Sequence, residues 1–112
     1  MEVRPVRLFI YETQEGKRPY SVWLEGLRDM KTKGIIRARL NRVRLGNFGD
    51  CKPVGEGVFE FRIDVGPGFR IYFGKEDQDI VVLLCGGSKR TQDSDIRLAQ
   101  EYWHDYRSRD DG

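Results

Sequence analysis

The segment from residue 58 to residue 90 constrains the fold most, because its side chains alternate with the period of a β-strand. Val58–Asp64 and Phe69–Phe73 each place apolar side chains at every second position, and Gly66-Pro67-Gly68 lies between them. Alternation with period two is typical of a strand that buries one face, and glycine and proline favour a tight turn. After a second turn, Ile80–Cys85 is apolar almost throughout, which is typical of a central strand covered on both faces. The segment therefore predicts a three-stranded antiparallel meander.

The rest of the chain is predicted to add helices and one more strand. Three segments carry apolar residues at helical spacing, namely 19–27, 35–45 and 91–106, and the first two form an αα-hairpin. Residues 3–11 alternate like a strand, residues 47–57 are predicted as loop, and Gly86-Gly87 ends the last strand of the meander. The expected class is α/β of the α+β type: an N-terminal strand, an αα-hairpin, a three-stranded antiparallel meander and a C-terminal helix, with the helices on one face of the sheet.

The length of the chain suits one domain. It has 112 residues and a formal net charge of +2, and a chain of this size buries roughly two-thirds of its unfolded surface around one core. We expect a single domain over residues 1–106 and a disordered acidic tail over 107–112. Cys51 and Cys85 make no disulfide framework, no apolar run approaches ~18 residues, and the N-terminus lacks the apolar region of a signal peptide. The sequence predicts a cytoplasmic protein that does not contact a membrane.

The basic residues concentrate in the second predicted helix and its flanks. Residues 31–50 carry six basic side chains and one acidic side chain. Arg37, Arg39, Arg42 and Arg44 are predicted to lie on the wetter faces of that helix. A basic block of this kind suits RNA or an acidic protein partner, and the alternative is an ordinary solvated helix face.

Two arginines are predicted to meet across the first hairpin of the meander. If its turn is centred on Gly66, Arg62 and Arg70 lie opposite or diagonal to each other on one face of the sheet. Like charges in that position are destabilising unless water or an anion lies between them. The pair therefore indicates either a well-solvated position or a site for an anion.

Further polar groups are predicted to reach the same end of the sheet: Glu60, Tyr72, Lys89 and Arg90. Guanidinium groups bind phosphate oxygens bidentately, an aromatic ring can stack on an unpaired base, and a carboxylate or lysine can transfer a proton. Together these groups suit an RNA phosphodiester. The alternative is a solvent-facing ion pair of Glu60 with Arg62 or Arg70, worth ~0–1 kcal/mol.

Several classes of protein are excluded or disfavoured by what the sequence lacks. His104 is the single histidine, so a ribonuclease that uses a histidine pair is excluded. The sequence contains no zinc-ligand spacing, phosphate-binding loop or dinucleotide fingerprint. We therefore predict no metal and no small-molecule cofactor.

Three segments resemble one family when they are taken together. They are Val58-Phe59-Glu60-Phe61-Arg62, Gly68-Phe69-Arg70-Ile71-Tyr72 and Gly86-Gly87-Ser88-Lys89-Arg90-Thr91-Gln92-Asp93. They resemble the RelE/ParE superfamily of bacterial toxins, in the HigB-like branch of phage-related addiction module killer proteins. The resemblance extends from about Val3 to Gln100 and implies a compact RelE/ParE-like fold.

The resemblance also implies an activity. Many relatives are toxins of type II toxin–antitoxin modules that cut mRNA on the ribosome, where the ribose 2′-hydroxyl attacks the neighbouring phosphate. By motif position, Arg70 matches the arginine that relatives place on the scissile phosphate, Arg62 a basic position on the preceding strand, and Lys89 and Arg90 the basic pair after the last strand. Glu60 stands where some relatives carry lysine, so the general base is either Glu60 or no single residue.

Partners and alternatives follow from the same resemblance. Such toxins are held by an antitoxin, here expected to be a small helix-turn-helix protein encoded nearby, and they act on mRNA and the ribosome. Some ParE-like relatives inhibit DNA gyrase instead and cut no RNA. Apart from the resemblance, a non-catalytic RNA-binding or regulatory module is a third possibility, and it predicts RNA affinity that falls steeply with salt without cleavage products.

Overall fold

The computed structural model of the protein describes residues 4–110. Along the chain the elements of secondary structure are β1 Arg7–Ile10, α1 Pro19–Gly26, α2 Met30–Arg44, β2 Cys51–Gly55, β3 Val58–Ile63, β4 Phe69–Glu76, β5 Ile80–Ser88, a 3-10 turn at Lys89–Thr91 and α3 Gln92–Asp110. The protein is a compact α+β fold with three helices and a five-stranded mixed sheet. The predicted class is therefore confirmed at this level.

The strands are ordered β1-β5-β4-β3-β2 across the sheet. β1 is parallel to β5, and the other neighbouring strands are antiparallel. The prediction of loop over residues 47–57 is wrong, because Cys51–Gly55 forms an edge strand that pairs with β3. Pro53 and Gly55 are residues that strands disfavour, so the sequence pattern hides a strand that pairing with β3 holds in place.

Helices cover both faces of the sheet. One core contains Ile36 and Leu40 of α2 with Phe61 and Phe73 of the sheet, and a second core contains Ala99 and Trp103 of α3 with strand residues from the opposite face. The prediction that all helices lie on one face is wrong. Since successive strand residues point to opposite faces, the near-continuous apolar sequence of β5 needs cover on both sides, and α3 supplies the second cover.

The glycines near the end of β5 let helices approach the sheet closely. β5 continues through Gly86 and Gly87, which the sequence predicted to end the strand. A Cβ atom on Gly86 would lie 2.3 Å from the Trp23 ring of α1, and one on Gly87 would lie 1.8 Å from Oδ2 of Asp95 in α3. These glycines therefore serve packing on opposite faces of the same strand.

The ends of several helices differ from the predicted ones. α2 begins at Met30, five residues before the predicted start at 35, because Asp29 accepts hydrogen bonds from the Lys31 backbone N–H and the Thr32 hydroxyl. α3 continues to Asp110, so the predicted tail is helical over 107–110, and its last two residues lie outside the described residues. The predicted start of the first strand at Val3 also lies outside them. None of the helices described is long and apolar enough to span a membrane.

Candidate nucleic-acid interface

The register of β3 and β4 brings the predicted polar residues to one end of the sheet. Arg62 pairs with Arg70 and Glu60 pairs with Tyr72, as a turn centred on Gly66 predicts. Phe69 pairs with Ser88 at the end of β5, and the 3-10 turn that begins at Lys89 follows at once. We call the end of the sheet that carries Arg62, Arg70, Lys89 and Arg90 the basic end.

The guanidinium of Arg70 is held largely inside the protein. Its side chain is 6% exposed, and its Nε lies 3.9 Å from Oε1 of Glu60, which is fully buried. Nη1 donates a hydrogen bond of 3.3 Å to the carbonyl of Phe69, and Nη2 has no hydrogen-bond partner among the described side chains of residues 4–109. An ideal Cβ on Gly68 would lie 3.6 Å from Nη1 and 3.6 Å from Cβ of Lys89. The outer edge of the guanidinium therefore lies beside the 3-10 turn.

Glu60 does not reach the surface, which corrects its predicted role as a proton acceptor for a substrate. Its Oε1 faces Arg70, and its Oε2 accepts a hydrogen bond of 2.7 Å from the side-chain amide of Gln92. A buried carboxylate is tolerated only when it is paired and hydrogen-bonded. The carboxylate of Glu60 therefore compensates the charge of Arg70 and accepts the hydrogen bond of Gln92.

Tyr72 cannot stack on a base, which corrects a second prediction. It is 0% exposed and belongs to the core under α3, together with Val58, Leu84 and Trp103. Burial raises the pKa of its hydroxyl, and the neighbouring Glu60 carboxylate raises it further. The ring is part of the hydrophobic core, because α3 covers this face of the sheet.

Arg62 leans toward the edge of the sheet. Its side chain is 37% exposed, and its Nε lies 3.7 Å from Oδ2 of Asp50, just before β2. The two opposed arginines thus use different carboxylates, and Asp50 compensates part of the charge of Arg62. An exposed pair of this kind contributes only ~0–1 kcal/mol, so Arg62 remains available to an anion.

A surface cavity of about 380 Å³ adjoins the basic end. It is lined by the 3-10 turn and the first turns of α3, and its cationic side chains are Lys89, Arg90 and Arg97. All three are exposed. Arg97 is not among the predicted site residues. Its position four residues after Asp93, which places both on one helix face, is the signal that could have found it.

The arginines of α2 separate into two groups. Arg37, Arg42 and Arg44 are exposed, whereas Arg39 is buried. Arg39 donates hydrogen bonds to the carbonyls of Phe48, Asp50 and Arg62, and burial, followed by the nearby Arg42 charge, lowers its pKa. The prediction that Arg39 binds RNA is wrong, because its donors hold the backbone of the loop before β2 and of β3.

The exposed α2 arginines do not join the basic end. Arg37 and Arg44 line a different cavity, of about 310 Å³, together with apolar residues of β1, α1 and β5. α2 packs on the core opposite the one that contains Tyr72. The predicted basic residues therefore form two surfaces.

His104 lies on α3 in a larger and electrically mixed cavity. This space of about 700 Å³ also contains Arg97 and Arg107, and the acidic residues Glu56 and Glu101 balance them. Within residues 4–110, no group of three or more histidine, cysteine or acidic side chains is placed to hold a metal ion.

Comparison with known proteins gives one relative with a strong match. It is described as an uncharacterized protein of Haemophilus influenzae, and it is 47% identical to this chain over 81 residues. The match covers 72% of this chain and 82% of the relative. No family model matches the chain.

Proposed function

The chain belongs to the same family as this uncharacterized Haemophilus influenzae protein, and we propose that it is the toxin of a type II toxin–antitoxin module, of the HigB-like branch of the RelE/ParE superfamily. In this proposal it cleaves mRNA on the ribosome and inhibits translation in the cytoplasm. The observation that carries the proposal is the gathering of Arg62, Arg70, Lys89 and Arg90 at one end of the sheet.

These cations suit the charge of phosphoryl transfer. Cationic groups that are fixed before the reaction stabilise the charge that develops on phosphate oxygens, and such electrostatic effects are often the largest contribution to catalysis. Lys89 and Arg90 are exposed and can contact the phosphate directly. Arg70 offers its outer edge beside Lys89, and Arg97 extends the basic surface along α3.

The chemical step needs no cofactor. The ribose 2′-oxygen forms a bond to phosphorus, the bond from phosphorus to the 5′-oxygen breaks, and a 2′,3′-cyclic phosphate and a 5′-hydroxyl result. The proton of the 2′-hydroxyl passes to water, because Glu60 is buried. The leaving 5′-oxygen takes a proton from the Lys89 ammonium, which water then restores.

The partners of this proposal are an antitoxin, mRNA and the ribosome. A small helix-turn-helix antitoxin with an acidic segment would mask the basic end through opposite charge. The exposed α2 residues Arg37, Arg42 and Arg44 offer a second surface for ribosomal RNA.

Mapping of transcript 5′ ends tests the proposal. Brief induction of the wild-type protein should create new 5′ ends within reading frames, and Lys89→Ala should reduce them at least tenfold. Arg7→Ala is the matched control, because Arg7 is an exposed cation on β1 that pairs with Ile80 at the opposite end of β5. If the wild type arrests growth with intact mRNA, the cleavage proposal fails, and DNA damage in the same cells would indicate inhibition of gyrase.

A second candidate function is RNA binding without cleavage. The observation that favours it is the enclosure of Arg70 by Glu60 and Phe69, which gives Arg70 a role in stability. This function predicts affinity for single-stranded RNA that falls steeply with salt and yields no cleavage products.

A further inference from the structure

The first residue of α3 contacts the buried side of the basic end. Gln92 stands where the 3-10 turn passes into α3, and its Nε2 lies 2.7 Å from Oε2 of Glu60, 32 residues away in the sequence. It is half-buried, and it lines the same cavity as Lys89 and Arg97. The side chain of Gln92 thus connects the cavity that adjoins the basic end to the buried face of the sheet.

The two oxygens of Glu60 have different partners. Oε2 accepts the hydrogen bond from Gln92, and Oε1 faces Nε of Arg70 at 3.9 Å. That separation exceeds the length of a hydrogen bond, so Glu60 attracts Arg70 by charge alone. The position of the guanidinium therefore depends on where the carboxylate is held, together with the hydrogen bond from Nη1 to the Phe69 carbonyl. Tyr72 lies opposite Glu60 in the register, and its hydroxyl lies beside the carboxylate without a well-formed hydrogen bond. The well-formed hydrogen bond that fixes the Glu60 carboxylate is therefore the one from Gln92.

We infer that Gln92 is a positioning residue, which acts through Glu60 to hold the Arg70 guanidinium with its outer edge toward the Lys89 side of the basic end. The contact of that edge with a phosphate rests on the proposed function, whereas the positioning of Arg70 by Gln92 and Glu60 does not. Through this chain of contacts, the docking of α3 sets the geometry of a cation on β4.

Two substitutions on α3 form a matched pair for the test. Gln92→Leu removes the amide donor at nearly constant size. Gln100→Leu does the same at a second half-buried glutamine of α3. The Nε2 of Gln100 donates a hydrogen bond of 3.1 Å to the carbonyl of Val54, away from the basic end. Both lose one hydrogen bond of the same kind, so a general loss of stability should appear in both.

The first measurement is the ¹⁵N NMR signal of the Arg70 Nε–H group and its rate of exchange with water. Gln92→Leu should shift the signal and speed the exchange at least fivefold, whereas Gln100→Leu should leave both unchanged. This measurement needs no RNA, so it decides the inference even if the wild type cuts no transcript. An Arg70 signal that is the same in Gln92→Leu and the wild type would overturn the inference.

The second measurement is single-turnover cleavage of ribosome-bound mRNA. Gln92→Leu should lower the rate at saturating protein at least tenfold while changing the half-saturating concentration less than twofold. In the Glu60→Gln background, Gln92→Leu should cost nothing more, because Gln92 acts through the carboxylate. Undiminished cleavage by Gln92→Leu, or an equal loss in Gln100→Leu, would contradict the positioning role. If Glu60→Gln does not fold, the NMR comparison of the two glutamine variants still decides.

Discussion

Arg62 and Arg70 lie directly opposite each other on β3 and β4, and each uses a different carboxylate. Arg62 pairs with Asp50 near the edge of the sheet, and Arg70 faces the buried Glu60. Two like charges in such a register destabilise a sheet unless something compensates them. The two carboxylates supply that compensation and give the arginines unequal roles, because one remains half-exposed and the other is held inside.

Removal of these two arginines should have very different effects on stability. Arg70→Ala leaves the charge of Glu60 uncompensated in the interior and should lower the free energy of unfolding by about 3–5 kcal/mol. Arg62→Ala should cost less than about 1 kcal/mol, because its pair with Asp50 is exposed. Urea unfolding measures both. The double variant Glu60→Leu/Arg70→Met should recover most of the loss, and a double variant as unstable as Arg70→Ala would contradict a buried ion pair.

The hydroxyl of Tyr72 should be dispensable. It is buried beside the Glu60 carboxylate without a well-formed hydrogen bond, and the removal of a poorly satisfied polar group is nearly neutral or stabilising. Tyr72→Phe should therefore unfold at the same or a higher urea concentration and should bind single-stranded RNA with unchanged affinity. Because the ring is enclosed under α3, weaker RNA binding by this variant would argue against the described packing.

Arg97 should contribute one phosphate contact to RNA binding. Arg97→Ala should make the slope of log K against log salt less steep by about 0.7 for a short single-stranded RNA, which is the effect of losing one contact. Fluorescence anisotropy at salt concentrations from roughly 50 to 200 mM measures this slope. Arg7→Ala, with its cation at the other end of β5, should leave the slope unchanged, and equal slopes for both variants would remove Arg97 from the interface.

Gly86 should not tolerate a side chain. A Cβ there would lie 2.3 Å from the Trp23 ring, so Gly86→Ala must push α1 away from β5 and should destabilise the protein by about 1–3 kcal/mol. Gly34→Ala is the control, because nothing lies within 4 Å of its Cβ position in α2. It should stabilise by about 0.5–1 kcal/mol, as expected for glycine to alanine in a helix. Thermal unfolding of the two variants should give shifts of opposite sign.

Asp105 should make stability fall in acid. A hydrogen bond from the Tyr11 hydroxyl, followed by those from Arg109 and Gln14, lowers the pKa of Asp105 from 3.8 to about 2. A group whose pKa is lower in the folded state stabilises the protein above its unfolded pKa, and this contribution disappears as the pH falls from about 4 to 2. The slope of unfolding free energy over that range should decrease in Asp105→Asn and, less strongly, in Tyr11→Phe. If the slope in Asp105→Asn equals that of the wild type, other carboxylates cause the loss of stability in acid.

Much of the sheet could be predicted because its information is local. The turn at Gly66 and the alternation on either side fix the register of β3 with β4, since a shift by one residue would turn every side chain to the other face. The edge strand β2 could not be predicted, because Pro53 lowers its strand propensity and its pairing with β3 depends on contacts that the segment itself does not encode.

The sequence predicted where the residues of the candidate site lie in the sheet better than it predicted which of them are exposed to solvent. The sequence indicated that Glu60, Tyr72 and Arg70 share a face, and the register agrees. It did not indicate that α3 covers that face, so the buried state of all three was missed, and so was the hydrogen bond from Gln92. Arg39 was missed for a similar reason, because its partners are carbonyls of a distant loop and strand.

The sequence by itself determined the order of the three helices and of four of the five strands, the pairing of β3 with β4 and the set of cations near its turn, because strand period and turn chemistry act over a few residues. Only the tertiary structure decided which of these side chains meet solvent. That choice depends on α3 packing against the face of Glu60 and Tyr72, and such packing is an energy balance among residues far apart in the chain, which local patterns do not contain.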